Sequence, residues 1–453
     1  MPVSALRRWK LGEKKFNTSP FGVSKNGELT IRSGNHTHSV DGLAKQYGTP
    51  LEVFLPEVAT DRVRAVIQSF NDAIRKESYA GTFSYHYPMK VNQRKEYVTS
   101  VLNAGAEIET SSANELMLVR GMIRNGEARA DLHIHCNGPK TSEYLDLIRR
   151  MYREGFSIVP IIEDAGELAA LGTYSGKVGI RVDLSVKVDS HWDKKFNRFG
   201  FPEKDLRALG TIPNLSILSY HISSQIEGID GFVTPIRQAM KLYADMKIKN
   251  PGLETLNIGG GAGIPYEKKS FYTTEKLAAA IVSACKKESA RLGVPSPHIM
   301  CEWGRHVIAP AQISVFRIIG DKPIGKGMRG KWYVIDGSFI ANLPDTWSLH
   351  QRWHITPVNR LRDATPETVW LAGSSCDSDD EYVPEGGQKI SMPALKPGTN
   401  LYIAVFDTGA YQDSLASYHC LLSHPTRISL QEGSVAVLRK KEDAAEIGAL
   451  FGW

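Results

Sequence analysis

Short apolar runs alternate with longer amphipathic stretches between about residues 51 and 310. This alternation predicts parallel strands joined by crossover helices, because a buried strand is a short apolar run and a covering helix repeats every 3.6 residues. Eight strand–helix units close naturally into a TIM-type (β/α)8 barrel. The predicted strands lie near residues 83–89, 105–109, 131–136, 156–161, 177–182, 215–222, 254–259 and 298–302.

Amphipathic segments between these strands predict helices at 95–104, 114–125, 142–154, 233–248 and 274–292. The helical pattern stops near residue 311, where it gives way to β-like runs separated by Gly and Pro. We therefore expect an α/β chain with three parts. They are an N-terminal segment at 1–50 that packs with the β domain, the barrel at 51–310 and a mostly β C-terminal domain at 311–453.

The composition is that of a globular protein large enough for two domains. The 453 residues are 42% hydrophobic and 23% charged. The net charge of +6 comes from scattered Lys and Arg, so nucleic-acid binding is not expected. No apolar run approaches the roughly 18 residues of a membrane span, and the charged N-terminus does not resemble a secretory signal.

The cysteines favour free thiols in a reducing cytoplasm. They are odd in number, far apart and without a C-x-x-C pair, which disfavours a disulfide framework or a zinc site. The five residues are Cys136, Cys285, Cys301, Cys376 and Cys420. We expect a cytoplasmic protein without a metal.

Residue types that carry chemistry recur where the predicted strands end. In TIM barrels the active site lies at the C-terminal ends of the strands. Seven of the eight predicted strands end at or just before such a residue: Lys90, Glu109, Asn137, Arg181, His221, Gly259 and Glu302. The sequence therefore predicts one site at this end of the barrel.

Four of these features together favour pyridoxal 5′-phosphate (PLP). Lys90 can hold an aldehyde as a Schiff base, and burial at the barrel mouth would lower the pKa of its ammonium group. Glu302 can keep the pyridine nitrogen protonated. The glycines at 259–261 and Arg305 can hold a phosphate. Each has an ordinary alternative, namely a surface lysine, glutamate or arginine, or a turn rich in glycine.

Two further segments have less specific patterns. His221 can stack on a cofactor ring and Ser224 can donate to a phosphate, although a lone histidine is more often a core residue. Cys376 can deliver a proton to a carbanion, and the neighbouring Asp377 can bind a basic side chain. The alternative for this acidic stretch is a polar loop.

The motifs resemble those of the fold type III PLP decarboxylases of the ornithine, arginine and diaminopimelate group. The resemblance extends over about residues 40–430 and includes Glu-x-Gly-Arg at 302–305 and Cys-Asp-Ser at 376–378. Four stretches look most like biosynthetic arginine decarboxylases: Tyr-Pro-Met-Lys-Val-Asn at 87–92, Asn-Gly-Pro-Lys at 137–140, Leu-Pro-Asp-Thr-Trp at 343–347 and Gly-Ala-Tyr-Gln at 409–412.

The resemblance implies a role for each candidate residue. Lys90 is the Schiff-base lysine, Glu109 lies near it and the cofactor's 3′-oxygen, and Arg181 lies on the barrel wall. His221 stacks on the ring and Glu302 binds its nitrogen. The implied phosphate ligands are Ser224, Gly259, Gly260, Gly261, Arg305 and Tyr411.

The resemblance further implies a homodimer with shared active sites. Cys376 as proton donor and Asp377 as substrate ligand reach the partner subunit's site, and Asp345 is a second candidate for the distal basic group. The chain departs from the family at Ser223, usually glycine, and at Trp303, usually proline or serine. It also lacks the extra insertions of the longer biosynthetic arginine decarboxylases.

The implied reaction is decarboxylation of L-arginine to agmatine and CO2, a step of polyamine biosynthesis. Ornithine, lysine, diaminopimelate and a carboxylated polyamine are alternative substrates. A PLP racemase of the alanine type, with a catalytic tyrosine instead of the Cys-Asp motif, is another enzyme class. A non-catalytic homologue is the third possibility.

Overall fold

The computed structural model describes residues 8–11, 18–184, 186, 188, 197–325, 330–363, 366–382 and 390–453. The chain forms two compact units. The barrel unit comprises Ala59–Ile264 and Phe271–Val307, and the β unit comprises Met1–Val58, Pro265–Ser270 and Ile308–Trp453. Within the predicted N-terminal segment, residues 1–7 and 12–17 lie outside the described residues.

Eight parallel strands close into a barrel among the described residues, which confirms the predicted fold. Each strand pairs with the next, and the eighth pairs with the first through Ile299 and Phe83. A two-residue strand, Phe201–Pro202, pairs in parallel with the end of the fifth barrel strand. In chain order the barrel strands are Phe83–Pro88, Glu107–Thr110, Ile134–Cys136, Ile158–Ile162, Val178–Asp183, Leu215–Tyr220, Thr255–Asn257 and His298–Cys301.

The helices follow apolar stripes and polar caps in the sequence. Ser112, Thr141 and Thr273 accept hydrogen bonds from backbone N–H groups of the helices that follow them. The five predicted helices are confirmed to within a few residues. From the barrel region the helices are Pro56–Glu77, Lys95–Asn103, Ala113–Arg124, Ser142–Arg153, Ala165–Leu171, Glu203–Ala208, Asp230–Lys249, Thr274–Leu292 and Gly304–Ile308.

The longest of these helices, Pro56–Glu77, was not among those predicted. Its apolar positions Ala59, Val63, Val66 and Phe70 are fully buried and follow three- and four-residue spacing. The helical period was therefore present in the sequence, before the first predicted barrel strand.

The β unit contains a three-stranded antiparallel sheet and a ten-stranded sheet in its described residues. Leu51–Phe54, which falls inside the predicted barrel range of 51–310, lies between Gln312–Pro323 and Thr426–Gln431, so these residues complete the C-terminal sheet instead. Their side chains share a core that includes Val53 and Ile428. The small sheet consists of Phe21–Val23, Leu29–Ser33 and His36–Ser39.

The remaining elements of the β unit are mostly short. Its helices are Val40–Tyr47, Pro344–Leu349 and Ala444–Leu450. The other strands of the large sheet are Lys331–Ile335, Ile355–Pro357, Pro366–Ala372, Glu381–Tyr382, Ile390–Pro393, Tyr402–Val405 and Ser434–Arg439. Within the described parts of the chain, we find no helix with the length and apolarity needed to cross a bilayer.

Candidate active site

Lys90 lies in a single 3-10 turn, Met89–Val91, directly after the first barrel strand. The turn buries Met89 and Val91 but leaves Lys90 exposed, so the expected burial of this lysine is wrong. Gly304 packs against the same turn. A Cβ on Gly304 would lie 2.4 Å from a methyl group of Val91 and 2.6 Å from Pro88 Cγ. Glycine at 304 therefore lets the helix after the eighth strand approach the Lys90 turn.

Glu109 lies next to the last residue of the second strand as a fully buried carboxyl group. Ser111 Oγ donates a 2.6 Å hydrogen bond to Oε1, whereas Oε2 has no hydrogen-bond partner among the described residues. Burial raises the pKa of Glu109 to about 7, an effect that the positive charge of Lys90 opposes and the negative charge of Glu302 reinforces. Glu109 is therefore able to gain or lose a proton near neutral pH, within electrostatic range of Lys90.

Glu302 follows the eighth strand, and two asparagine side chains hold its carboxylate. Asn257 Nδ2 donates to Oε1 at 2.7 Å, and Asn137 Nδ2 lies 3.3 Å from both oxygens. The backbone N–H of Glu302 donates to the carbonyl of Gly259 at 2.8 Å. Glu302 is 8% exposed, so this arrangement presents an oriented carboxylate at a narrow opening.

The glycine run after the seventh strand passes close to neighbouring backbone. Gly259 has a φ of +65°, and a Cβ there would lie 2.3 Å from the carbonyl oxygen of Tyr220. The N–H of Gly260 donates to His221 Nδ1 at 3.0 Å. A neutral imidazole that accepts at Nδ1 carries its proton at Nε2. We call the glycine run at 259–261 the glycine cradle. These contacts keep the cradle free of side chains and place the half-buried His221 ring beside it.

The predicted arginines occupy different surroundings. Arg181 Nη1 forms a 2.8 Å ion pair with Glu163 Oε1, and its guanidinium lies 4.6 Å from the centre of the Phe199 ring. Arg305 lies in the helix Gly304–Ile308 and is buried. Ser224, three residues after His221, is half-buried. Arg181 is therefore fixed on the barrel wall by one carboxylate and one aromatic face.

The two departures from the family pattern are buried residues. Trp303 is 1% exposed and its ring lies 5.4 Å from that of Phe70 and 6.0 Å from that of Phe232. Ser223 is 2% exposed, and its carbonyl oxygen would lie 3.0 Å from a Cβ on Gly261. Trp303 thus fills the aromatic core behind Glu302, and Ser223 supports the glycine run.

The barrel residues fit PLP. Two buried acceptor atoms, Glu109 Oε2 and Asn137 Oδ1, find no hydrogen-bond partner in the part of the chain that the structure describes. Unpaired buried acceptors are costly, so a ligand that carries donors would stabilise this end of the barrel. The glycine run leaves room for an anion beside backbone N–H groups. Lys90, Glu302 and this cradle therefore supply an amine, a carboxylate and an anion site.

Four predicted residues lie in the β unit. Asp345 is 2% exposed and its N–H donates to Gln412 Oε1 at 3.1 Å. Cys376 and Asp377 are exposed, and Asp377 Oδ2 lies 3.4 Å from His419 Nε2. Tyr411 is half-buried with a φ of +68°. Their contribution to a site with the barrel residues stays a prediction.

Sequence reasoning assigned no role to three side chains that organise the site. Asn137 was expected at a strand end but without a partner, whereas Asn257 and Glu163 were not singled out. All three lie at or just after the carboxyl end of a barrel strand. That position was the available signal, but the partners are up to 165 residues away in sequence.

Comparisons with known proteins agree with this architecture. The pyridoxal binding domain of the pyridoxal-dependent decarboxylases matches residues 63–309. A biosynthetic arginine decarboxylase of Citrifermentans bemidjiense is 23% identical over 543 aligned positions, covering 90% of this chain and 85% of that protein. Two solved structures, both under 25% identical to this chain, confirm the barrel and β fold.

The first is the biosynthetic arginine decarboxylase of Campylobacter jejuni. It aligns with a TM-score of 0.82 and 20% identity over 100% of this chain and 92% of that one. The second is diaminopimelate decarboxylase of M. jannaschii in complex with L-lysine. It aligns with a TM-score of 0.80 and 21% identity over 96% and 98%.

Proposed function

This chain belongs to the pyridoxal-dependent decarboxylases, and from that membership we propose that it decarboxylates L-arginine to agmatine and CO2. Its cofactor is PLP and its enzyme class is carboxy-lyase. The observation that carries the proposal is the oriented Glu302 carboxylate, held by Asn257 and Asn137 at the barrel end where Lys90 emerges.

Different barrel residues would bind different parts of the cofactor. Lys90 would supply the amine for the aldehyde, and Glu302 would receive the ring nitrogen. His221 would lie against a ring face. The residues that would hold the phosphate are Ser224, Gly259, Gly260, Gly261 and Arg305 in the barrel and Tyr411 in the β unit.

When bound, PLP supplies an electron sink for the electron pair left by the departing carboxylate. Glu302 keeps the ring nitrogen protonated. Glu109, with a pKa raised by burial to about 7, holds or releases a proton beside Lys90 near neutral pH. Arg181, fixed by Glu163, adds positive charge to the barrel wall. Cys376 is the proposed proton donor to the α-carbon.

Arginine is favoured as substrate because the similar curated proteins are named arginine decarboxylases. Asp377 and Asp345 are the candidate ligands of the distal guanidinium group. Diaminopimelate is the second candidate, since the chain aligns with diaminopimelate decarboxylase almost as well as with arginine decarboxylase. Ornithine, lysine and a carboxylated polyamine are the remaining candidate substrates.

Release of CO2 from a panel of amino acids tests the proposal. Purified enzyme with PLP is supplied separately with arginine, ornithine, lysine, diaminopimelate and a carboxylated polyamine. We expect the highest kcat/KM with arginine and agmatine as the product. A higher value with diaminopimelate would move the substrate assignment to the second candidate. Racemised arginine without CO2 would indicate a racemase, and protein that does not bind PLP would indicate a non-catalytic homologue.

We further propose that the enzyme is a cytoplasmic homodimer whose Cys376 and Asp377 act in the partner subunit's site. Mixing inactive Lys90→Ala and Cys376→Ala proteins tests this. Random reassortment makes half of the dimers mixed, each with one intact site, so activity should recover to about a quarter of wild type. If reassorted mixtures regain no activity, the two residues act in the same subunit.

A further inference from the structure

We propose that Asn257 is a positioning residue that presents the Glu302 carboxylate to the cofactor ring and links it to the glycine run. The inference rests on the proposed function, because it concerns how this chain prepares the ring-nitrogen contact. It concerns a side chain to which the sequence analysis gave no role. The Asn257 amide is fully buried, and both its nitrogen and its oxygen form hydrogen bonds.

The orientation of the Asn257 amide follows from its neighbours. Its Oδ1 accepts a 2.9 Å hydrogen bond from the backbone N–H of Gly259. A backbone N–H only donates, so the atom that faces it must be the amide oxygen. The amide nitrogen then faces Glu302, where Nδ2 donates to Oε1 at 2.7 Å. The backbone of the glycine run therefore determines that the donor end of the amide faces the Glu302 carboxylate.

Asn257 joins two parts of the cofactor site that the chain supplies from different strands. It ends the seventh barrel strand, in register with Met300 of the eighth. The carbonyl of Gly259 accepts from the N–H of Glu302 at 2.8 Å, so backbone and side chain connect the same two strand ends. A movement of Glu302 would therefore disturb Gly259 through this backbone hydrogen bond.

An amide suits this task better than a basic residue. Amide N–H groups orient a carboxylate without adding positive charge, so Glu302 keeps its charge for the ring nitrogen. Asn137 assists more weakly, since its Nδ2 lies 3.3 Å from both oxygens. Oε1 is thus held by two donors and Oε2 by the longer contact alone among the described residues, which leaves Oε2 the more available atom.

Asn257→Asp separates the two hydrogen bonds. An aspartate oxygen still accepts from Gly259, but an oxygen replaces the donor 2.7 Å from Glu302 Oε1. When both carboxylates are ionised at pH 8, they repel each other at this distance and neither can donate a hydrogen bond. We expect roughly 10-fold weaker PLP binding at pH 8, an altered visible absorption and circular dichroism band of bound PLP, and about 100-fold lower kcat with KM little changed.

Lowering the pH supplies the missing proton and is the decisive measurement. At pH 6 the shared proton restores a donor between residues 257 and 302, so the spectrum and PLP affinity of Asn257→Asp should return toward wild type. A merely structural defect would not recover on acidification. Glu302 also interacts electrostatically with Glu109, Tyr85 and Cys301, and Glu109 interacts with Lys90; these groups are identical in both proteins.

Asn250→Asp is the matched control in the same barrel unit. Asn250 is also a buried amide with a double role, because Oδ1 accepts from the Ile212 N–H at 2.7 Å and Nδ2 donates to the Met246 carbonyl at 3.0 Å. Its donor faces a carbonyl rather than a carboxylate. We expect lower stability, but the PLP spectrum and pH profile of wild type.

A wild-type spectrum, affinity and pH profile in Asn257→Asp would overturn the proposal. The proposed function would remain intact if Lys90→Ala abolished the PLP band in the same experiment. If Asn257→Asp does not fold, Asn257→Ser takes its place. Its short hydroxyl removes the donor to Glu302 without adding charge, so we expect about 10-fold weaker PLP binding with no recovery at pH 6. Wild-type affinity in Asn257→Ser would equally contradict the role.

Discussion

The two ends of the same barrel show opposite ways of burying ionisable groups. At the C-terminal end, Lys90, Glu109 and Glu302 lie close enough for their charges to interact. At the N-terminal end, a cavity of about 550 Å³ is lined by four histidines: His86, His133, His135 and His298. Burial is the main cause that lowers the pKa of His135 to about 3 and that of His298 to about 4. At one end an amine and two carboxyl groups interact, whereas at the other burial disfavours the charged form of His86, His135 and His298.

The alternation of side chains along a strand shows how close the buried histidines lie to the residues of the candidate active site. Side chains two residues apart on a strand point to the same face. His135 therefore shares its face with Asn137, and Met300 shares its face with Glu302. TIM barrel interiors are usually filled by branched apolar side chains. In this barrel the stacked rings of His86 and His135, with centres 4.1 Å apart, occupy the interior instead. We expect the chemistry of the site to depend on the carboxylates and not on these two histidines.

The largest expected effect tests whether catalysis belongs to one end only. Lys90→Ala should lower kcat/KM by at least about 10⁴-fold and abolish the visible absorbance of bound PLP, because no other amine replaces it. Its melting temperature should change little, since Lys90 is exposed. Lys177→Ala, at the rim of the histidine cavity, is the matched control and should stay within about twofold of wild type. A comparable loss of kcat/KM in Lys177→Ala would show that catalysis does not belong to the C-terminal end alone.

The next effect concerns the glycine cradle. Gly259→Ala places a Cβ 2.3 Å from the Tyr220 carbonyl at a φ of +65°, so we expect PLP binding weaker by about 100-fold and a loss of roughly 1–3 kcal/mol in stability. Titration with PLP and urea unfolding measure both. Gly210→Ala is the control, because a Cβ there meets nothing within 4 Å. Normal PLP affinity in Gly259→Ala would show that the glycine run does not bind the cofactor.

A smaller effect appears at the histidine end in acid. The pKa values of His135 and His298 are lower in the folded barrel than the unfolded value of 6.5, so their stabilisation is present above pH 6.5 and lost as the pH falls. Each should cost about 2 kcal/mol between pH 6.5 and pH 5. Glu107, Glu254 and Lys177 also line the cavity.

Urea unfolding at pH 7 and pH 5 measures this acid sensitivity. His135→Leu should reduce the loss by about 2 kcal/mol, because one buried imidazole no longer takes up a proton. The exposed His350 provides the control, and His350→Asn should keep the wild-type dependence. An unchanged dependence in His135→Leu would show that other groups cause the acid sensitivity.

The smallest effect concerns the ion pair at the rim of the histidine cavity. Lys177 Nζ and Glu254 Oε1 are 2.6 Å apart, with side chains 65% and 57% exposed. Solvent screens such a pair, so Glu254→Gln should change the unfolding free energy by less than about 1 kcal/mol and leave kcat/KM unchanged. Urea unfolding in low and high salt checks this. A larger change would mean that the rim charges are coupled to the buried histidines.

The sequence alone determined the order of the barrel and the positions of its reactive residues. Apolar runs and amphipathic stretches have local periods, so the eight strands and five helices could be assigned without knowing their neighbours. The strand ends then pointed to Lys90, Glu109 and Glu302 because one edge of a parallel barrel collects them.

Only the tertiary structure decided which side chains meet across the barrel. A period of two residues gives the face of a side chain but not its partner. Closure of the barrel brought Asn137 to Glu302 across 165 residues and paired Glu163 with Arg181. It also exposed Lys90, which the sequence analysis expected to be buried. Sheet pairing likewise placed Leu51–Phe54 between two strands that lie more than 250 residues later in the chain. Local patterns specify elements, whereas distances between side chains depend on how these elements close around a common core.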